Sequence, residues 1–117
     1  MKISVMGTGY VGLVSGTCLA ERGHQVTCID IRSEVVQEIN AGRPPIHEIG
    51  LDNLLRSARD KGMLSATTDA KTAILDSDVT LICVGTPTVD GRMDMSQIVA
   101  AAKEIGSALA SKRGYHV

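Results

Sequence analysis

Aromatic residues are nearly absent from this sequence of 117 residues, which contains no phenylalanine, no tryptophan and only two tyrosines, Tyr10 and Tyr115. A hydrophobic core must therefore consist of Val, Ile, Leu, Ala and Met side chains. Branched aliphatic residues are typical of parallel sheets, whose strands are buried on both faces. The lack of aromatic residues thus favours an α/β architecture built around such a sheet.

A large net charge and a long apolar run are also missing. The formal net charge is −1, so charge gives no support for nucleic acid or an anionic membrane as a partner. No apolar run approaches the roughly 20 residues of a membrane span. The strand-like sequence that follows Lys2 leaves no place for the apolar segment of a secretory signal. We expect a single domain, residues 1–117.

Cysteine is scarce, and its positions form no pattern. Cys18, Cys28 and Cys83 are odd in number, widely spaced and surrounded by apolar residues, unlike a disulfide framework or a metal site. We expect all three to be buried, reduced thiols. These cysteines point to the cytoplasm, and no metal site is expected.

Strand-like and helix-like apolar patterns alternate along the chain. The predicted strands are residues 2–6, 25–30, 64–68 and 79–84, with the start of a fifth at 115–117. The predicted helices are residues 10–22, 33–42, 51–61, 70–75 and 95–109. This alternation predicts a Rossmann-type doubly wound parallel sheet that is truncated at the start of its fifth strand.

Local signals refine these boundaries. Ser33 and Asp69 stand where helix N-caps are expected. Asp90-Gly91 predicts a hairpin-like turn. On the first helix, apolar spacing predicts one face that packs against the sheet, made of Val11, Val14, Ser15, Cys18 and Leu19.

Three glycines lie between the first predicted strand and the first predicted helix, in the hexapeptide GTGYVG at residues 7–12. A G-x-G-x-x-G sequence in this context is typical of dinucleotide binding. Gly7 is expected to form the tight turn and Gly9 to let the backbone approach a pyrophosphate. Gly12 is expected to let the helix pack closely on the strand. The alternative is a glycine turn with a purely structural role.

An acidic residue at the end of the second strand completes the motif. Asp30 stands 18 positions after Gly12, close to the expected separation of about 20. A carboxylate there accepts hydrogen bonds from the adenosine ribose and repels a 2′-phosphate, which favours NAD over NADP. The nearby Arg32 is expected to weaken this preference.

Gly85 and Thr86 follow the predicted strand 79–84, at the edge where doubly wound sheets bind ligands. Pro87 biases Thr86 toward an extended conformation, which brings the threonine hydroxyl near the expected cofactor crevice. An ordinary turn at the end of a strand explains these residues equally well.

Several segments resemble the UDP-glucose/GDP-mannose dehydrogenase family. They are residues 2–30, the loop PIHEIGL at 45–51, TTD at 67–69 and ICVGTP at 82–87. These motifs occur in the family's order, and the resemblance extends from Met1 to about residue 109. The chain departs from the family pattern at Val35, where lysine or arginine is common, and at Ile49, where proline is common.

The resemblance implies an NAD-dependent enzyme that oxidises the C6 alcohol of a nucleotide sugar to a carboxylate. The oxidation takes two hydride transfers and passes through a thioester on a cysteine. By position, Tyr10 and Val11 fall in the family's pyrophosphate loop, Asp30 at its ribose acid and Thr86 at a cofactor contact. The family's nucleophilic cysteine and its catalytic lysine and asparagine lie C-terminal to Val117. We therefore expect no catalytic residue in this chain, an inactive fragment and a homo-oligomer at full length.

The expected substrate is UDP-glucose, oxidised to UDP-glucuronate, because residues 12–18 resemble that branch of the family most. Residues 67–87 resemble the GDP-mannose branch about equally, which keeps oxidation of GDP-mannose to GDP-mannuronate open. Two other functions also stay open. One is an NAD-dependent dehydrogenase of the hydroxyacyl or 6-phosphogluconate type, and the other is a non-catalytic nucleotide-binding Rossmann module.

Overall fold

A four-stranded parallel sheet forms the centre of the computed structural model, which describes all 117 residues. The strands are β1 (Lys2–Met6), β2 (Gln25–Ile29), β3 (Leu64–Thr67) and β4 (Val79–Ile82). They lie in the order β3-β2-β1-β4, and all three pairings are parallel. The predicted Rossmann-type sheet is confirmed. Its winding reverses between β1 and β4, which places a crevice at the carboxyl ends of these two strands.

Five helices and a hairpin connect or flank the strands. The helices are α1 (Tyr10–Glu21), α2 (Ser33–Asn40), α3 (Leu51–Asp60), α4 (Ala70–Asp76) and α5 (Ser96–Leu109). Strands β5 (Thr88–Val89) and β6 (Arg92–Met93) pair in antiparallel fashion. Between them, Asp90 and Gly91 have φ values of 50° and 74°. Two successive left-handed residues are what a tight two-residue hairpin requires, so the predicted turn is confirmed.

The core lies on both faces of the sheet, because successive strand residues point to opposite faces. Ile3 and Val5 of β1 pack on the side that carries α1, α2 and α3. Met6 packs on the other side with residues of α4 and α5, among them Ile74. The buried hydrophobic residues are aliphatic apart from Cys28, as the lack of aromatic residues predicts.

The predicted buried face of α1 is confirmed only in part: Val14 and Leu19 are partly buried against the core, but Val11 and Cys18 are not. Val11 is 70% exposed and Cys18 is also exposed. The fully buried residues of the helix are instead Gly12, Leu13, Gly16, Thr17 and Ala20, of which three are glycine or alanine. A Cβ atom on Gly16 would lie 3.4 Å from the Cys28 Sγ atom, so the helix approaches β2 closely. Apolar spacing alone missed this face because all of its residues except Leu13 are small or polar.

The three cysteines are free, but only Cys28 is buried, so the expectation of three buried thiols is also wrong. The helix cap predicted at Asp69 is confirmed, since its carboxylate accepts a hydrogen bond from the Thr72 backbone N–H. The cap predicted at Ser33 is not, because Ser33 is the first residue of α2 and no side chain caps this helix.

Val117 lies beside the free edge of β4. Its N–H donates to the Asp78 carbonyl at 3.1 Å, and its carbonyl accepts from the Thr80 N–H at 2.8 Å. Such a pair of bonds is the parallel pattern, so a fifth position beside β4 begins to form here. None of the five helices has the length and apolar character to cross a membrane.

Candidate dinucleotide-binding site

A cleft of about 890 Å³ opens at the carboxyl ends of β1 and β4. Its walls come from the segments that follow β1, β2, β3 and β4 and from one face of α5, between Gln97 and Glu104. Seven of the eight predicted site residues line it: Gly7, Gly9, Tyr10, Val11, Asp30, Gly85 and Thr86. The volume is within the range of about 300–1,000 Å³ that small-molecule sites occupy.

Gly12, the eighth predicted residue, lies beneath the loop and fixes its path together with Gly7. A Cβ atom on Gly12 would stand 1.9 Å from the Gly7 carbonyl oxygen. Gly7 itself has φ +97°, and a Cβ atom there would lie 2.6 Å from the Cys83 carbonyl oxygen. Neither position can hold a side chain, so both glycines are required by the protein's own packing.

Gly9 differs from its two neighbours because the space around it is open. A Cβ atom on Gly9 would meet nothing within 4 Å. Its backbone, at φ −75° and ψ −166°, is a conformation that other residues adopt freely. Packing therefore gives no reason for a glycine here, whereas a group that approaches the backbone from the cleft does.

The N-terminus of α1 faces the cleft without any group of its own to neutralise it. No side chain caps this helix, and its first turn contains no acidic residue. The first N–H to find an intrahelical acceptor is that of Leu13, which donates to Gly9 at 2.9 Å. The N–H groups of Tyr10 and Val11, together with the positive end of the helix dipole, favour an anion at this position.

Asp30 follows β2 directly and is 7% exposed. Its Oδ1 atom accepts hydrogen bonds from the backbone N–H and the Nε of Arg32, both at 3.0 Å. Its Oδ2 atom accepts from Arg32 Nη2 at 3.1 Å and from the Thr8 hydroxyl. Burial alone would raise the pKa of Asp30, but the bonds from Arg32 and Thr8 outweigh it and lower the pKa to about 2. The carboxylate is therefore charged at neutral pH.

The opposite wall combines the loop after β4 with α5. The Gly85 N–H donates to Gln97 Oε1 at 3.2 Å, and Thr86 is exposed beside it. Gln97 and Glu104 of α5 also line the cleft. Sequence reasoning missed these two residues because nothing in their local pattern relates them to the loop after β1. It also missed Thr8, although a hydroxyl inside the glycine motif was a signal that could have found it.

The cleft offers no metal-binding set and no activated thiol. No group of three or more His, Cys, Asp or Glu side chains anywhere in the chain could hold a metal ion. Cys83 borders the cleft, and burial raises the pKa of its thiol above the usual value. The arrangement is suited to holding a ligand with a central anionic group and a hydroxyl-bearing end at Asp30.

Comparisons with known proteins agree with this geometry. Residues 1–115 match the family described as UDP-glucose/GDP-mannose dehydrogenase family, NAD binding domain. GDP-mannose 6-dehydrogenase of Pseudomonas aeruginosa is 48% identical over 117 residues, which cover 99% of this chain and 27% of that protein. UDP-glucose 6-dehydrogenase of Rhizobium meliloti is 48% identical over 111 residues, 93% of this chain and 25% of that protein.

Solved structures show the same similarity. A ternary complex of GDP-mannose dehydrogenase from Pseudomonas aeruginosa superposes with a TM-score of 0.97 at 48% identity, covering 99% of this chain and 27% of that one. A UDP-glucose dehydrogenase from the archaeon Pyrobaculum islandicum superposes with a TM-score of 0.92 at 39% identity. The match covers 97% of this chain and 27% of that one. The chain thus spans about a quarter of the length of the curated relatives it matches.

Proposed function

Because the chain belongs to the UDP-glucose/GDP-mannose dehydrogenase family and is an NAD-binding domain of that family, we propose that its cleft holds NAD for a nucleotide-sugar 6-dehydrogenase. The observation that carries the proposal is the contrast between the glycines of the first loop. Gly7 and Gly12 are enforced by contacts inside the protein, whereas Gly9 borders open space in the cleft. That space lies at the uncapped N-terminus of α1, where a pyrophosphate is favoured.

The proposal assigns each predicted residue a part in binding. The pyrophosphate lies against Gly9 and accepts hydrogen bonds from the N–H groups of Tyr10 and Val11. Asp30 accepts hydrogen bonds from the hydroxyls of the adenosine ribose. Gly85 and Thr86 contact the cofactor from the opposite wall. Gly12 contributes indirectly, because it holds α1 close beneath the loop.

Bound NAD supplies the hydride acceptor for oxidation of the sugar's C6 alcohol. The residues of this chain bind and orient the cofactor, and we assign none of them a catalytic role. We propose that groups outside residues 1–117 bind the sugar and perform the chemistry, so the chain alone does not turn over a nucleotide sugar. The coverage of about a quarter of each relative supports this division.

The substrate class that we propose is a nucleotide sugar, without a choice between UDP-glucose and GDP-mannose. The matching relatives include one GDP-mannose 6-dehydrogenase and one UDP-glucose 6-dehydrogenase, and each is 48% identical to this chain. The preference for UDP-glucose drawn from residues 12–18 stays a prediction.

We further propose a cytoplasmic homo-oligomer for the complete enzyme. Three free cysteines support a reducing compartment. Exposed apolar side chains on the hairpin and the start of α5, Val89, Met93 and Val99, support contact with further protein surface.

Calorimetric titration with NAD tests the cofactor assignment, with two glycine variants as a matched pair. A Cβ atom meets nothing within 4 Å at either Gly9 or Gly106, but only Gly9 borders the cleft. We expect Gly9→Ala to weaken NAD binding at least about tenfold, because the added methyl occupies the space of the pyrophosphate. Gly106→Ala leaves the affinity unchanged. Equal affinities for wild type and Gly9→Ala would contradict the assignment.

A further inference from the structure

The carboxylate that the proposed function assigns to the ribose is already occupied within the chain. Both oxygens of Asp30 are held by the guanidinium of Arg32, through Nε at 3.0 Å and Nη2 at 3.1 Å. The Thr8 hydroxyl bonds to the second oxygen as well. Since Asp30 is only 7% exposed, a ribose hydroxyl can reach this carboxylate only where the guanidinium gives way.

Arg32 is the exposed member of this group. Thr8 is buried, whereas the Arg32 side chain is 56% exposed and lines the cleft. A guanidinium has five N–H donors, and Asp30 uses two of them through Nε and Nη2. The other three are free to bind a second anion while the ion pair with Asp30 stays intact.

Arg32 is the only side chain of the cleft whose positive charge can attract a second anion. Arg32 is the only lysine or arginine among the residues that line the cleft, whereas Asp30 and Glu104 are acidic. Helix α2 supplies no further cation at its first inward position, because Val35 there is buried in the core. A phosphate beside Asp30 would therefore be repelled unless Arg32 lay between the two.

We propose that Arg32 makes the adenosine-ribose subsite accept a 2′-phosphate, so that this chain binds NADP as well as NAD. The inference rests on the proposed function, since it needs a dinucleotide in the cleft. With NAD, the ribose hydroxyls compete with the guanidinium for Asp30. With NADP, the guanidinium stays on Asp30 and binds the 2′-phosphate with its remaining donors, a geometry that suits arginine.

Titration of the chain with NAD and, separately, with NADP tests the inference through the ratio of the two dissociation constants. We expect the ratio to be within about tenfold for the wild type. Arg32→Ser should weaken NADP binding about tenfold or more, the effect of losing a charged hydrogen-bonded pair, and leave NAD binding equal or tighter. Arg32→Lys keeps the charge but loses the planar fork, so its ratio should fall between the two.

Arg43→Ser is the matched control. Arg43 is also exposed and also paired with a carboxylate, that of Glu38 at 2.8 Å, but it lies outside the cleft. This variant should change neither affinity. Circular dichroism and thermal unfolding confirm that each variant is folded before it is titrated.

The outcomes separate the inference from the function on which it rests. Two results would overturn the inference alone. In one, the wild type binds NADP more than about tenfold more weakly than NAD. In the other, Arg32→Ser leaves the ratio of the two dissociation constants unchanged. Absence of binding of either dinucleotide by the folded chain overturns the proposed function, and the inference falls with it.

Discussion

The three glycines in the loop after β1 have different roles because each has different surroundings. Side chains at Gly7 and Gly12 would collide with backbone atoms of the protein, at 2.6 and 1.9 Å. A side chain at Gly9 would enter the cleft without touching the protein. The sequence motif contains a glycine at all three positions, and the structure shows that the protein's own packing requires two of them, Gly7 and Gly12.

Stability measurements on alanine variants separate these roles at the level of single residues. Gly12→Ala forces a methyl group against the Gly7 carbonyl, so we expect the free energy of unfolding to fall by about 3 kcal/mol or more. Gly9→Ala adds its methyl group to open space and should change it by less than about 0.5 kcal/mol. Urea unfolding gives both values. Equal losses in the two variants would show that Gly9 is also required by packing.

Asp30 should make stability depend on pH in a narrow acidic range. Burial opposes its charge, but bonds from Arg32 and Thr8 lower its pKa from 3.8 to about 2 in the folded chain. A group whose folded pKa is lowered stabilises the protein above the unfolded pKa, and this stabilisation is lost as the pH falls through the folded pKa. The shift corresponds to about 2 kcal/mol, present at pH 5 and lost progressively between about pH 4 and pH 2.

The variant Asp30→Asn isolates this contribution, since asparagine has nearly the same shape and does not titrate. We expect the wild type to have a higher free energy of unfolding than the variant at pH 5. This difference between the two proteins should be about 2 kcal/mol smaller at pH 2. Urea unfolding at both pH values measures the change. A difference that is the same at both pH values would mean that Asp30 is not held as an ionised acceptor.

At the scale of elements, the sequence predicted which segments form strands and helices, but not every contact between them. Strand β1, helix α1 and the position of Asp30 followed from apolar periodicity and spacing. The buried face of α1 did not, since Gly12 packs against the Gly7 backbone and Gly16 packs against side chains of β1 and β2. Leu13 is the only bulky apolar residue among the fully buried residues of this helix, which is too few for an apolar pattern to identify the face.

Helix caps show the same difference between a suitable residue and an actual contact. Asp69 and Ser33 are both favourable cap residues, but only Asp69 accepts a bond, from the Thr72 N–H at 3.0 Å. We expect Asp69→Ala to lower the free energy of unfolding by about 1 kcal/mol. Ser33→Ala, at an exposed position that caps nothing, should change it little. Chemical unfolding of the two variants measures both changes. A loss of similar size in Ser33→Ala would contradict the conclusion that Asp69 caps its helix and Ser33 does not.

At the scale of the whole molecule, the cleft joins parts of the chain that are far apart in sequence. Asp30 follows β2, Gly85 follows β4, and Gln97 belongs to α5. The topology rule for doubly wound sheets predicts that the loops after β1, β2 and β4 meet at one edge. It does not predict which residues of α5 complete the wall, because that depends on how α5 packs on α4.

A ligand that bridges these parts should stabilise the folded chain as a unit. At NAD concentrations of about 100 times the dissociation constant, binding adds about 2.7 kcal/mol to the free energy of unfolding. For a chain of this size, this corresponds to an increase in the melting temperature on the order of 10 °C. Differential scanning calorimetry with and without NAD measures it. An unchanged melting temperature at saturating NAD would contradict binding across the cleft.

The most direct test of the central claim, that NAD binds at the carboxyl edge of the sheet, is a titration followed in the amide NMR spectrum. We predict the largest shift changes at the N–H groups of Gly9, Tyr10, Asp30 and Thr86. Gly23 and Gly62, in the turns that precede β2 and β3 at the opposite edge, should not respond. Changes centred on those two glycines, or none anywhere at saturating NAD, would contradict the assignment of this cleft.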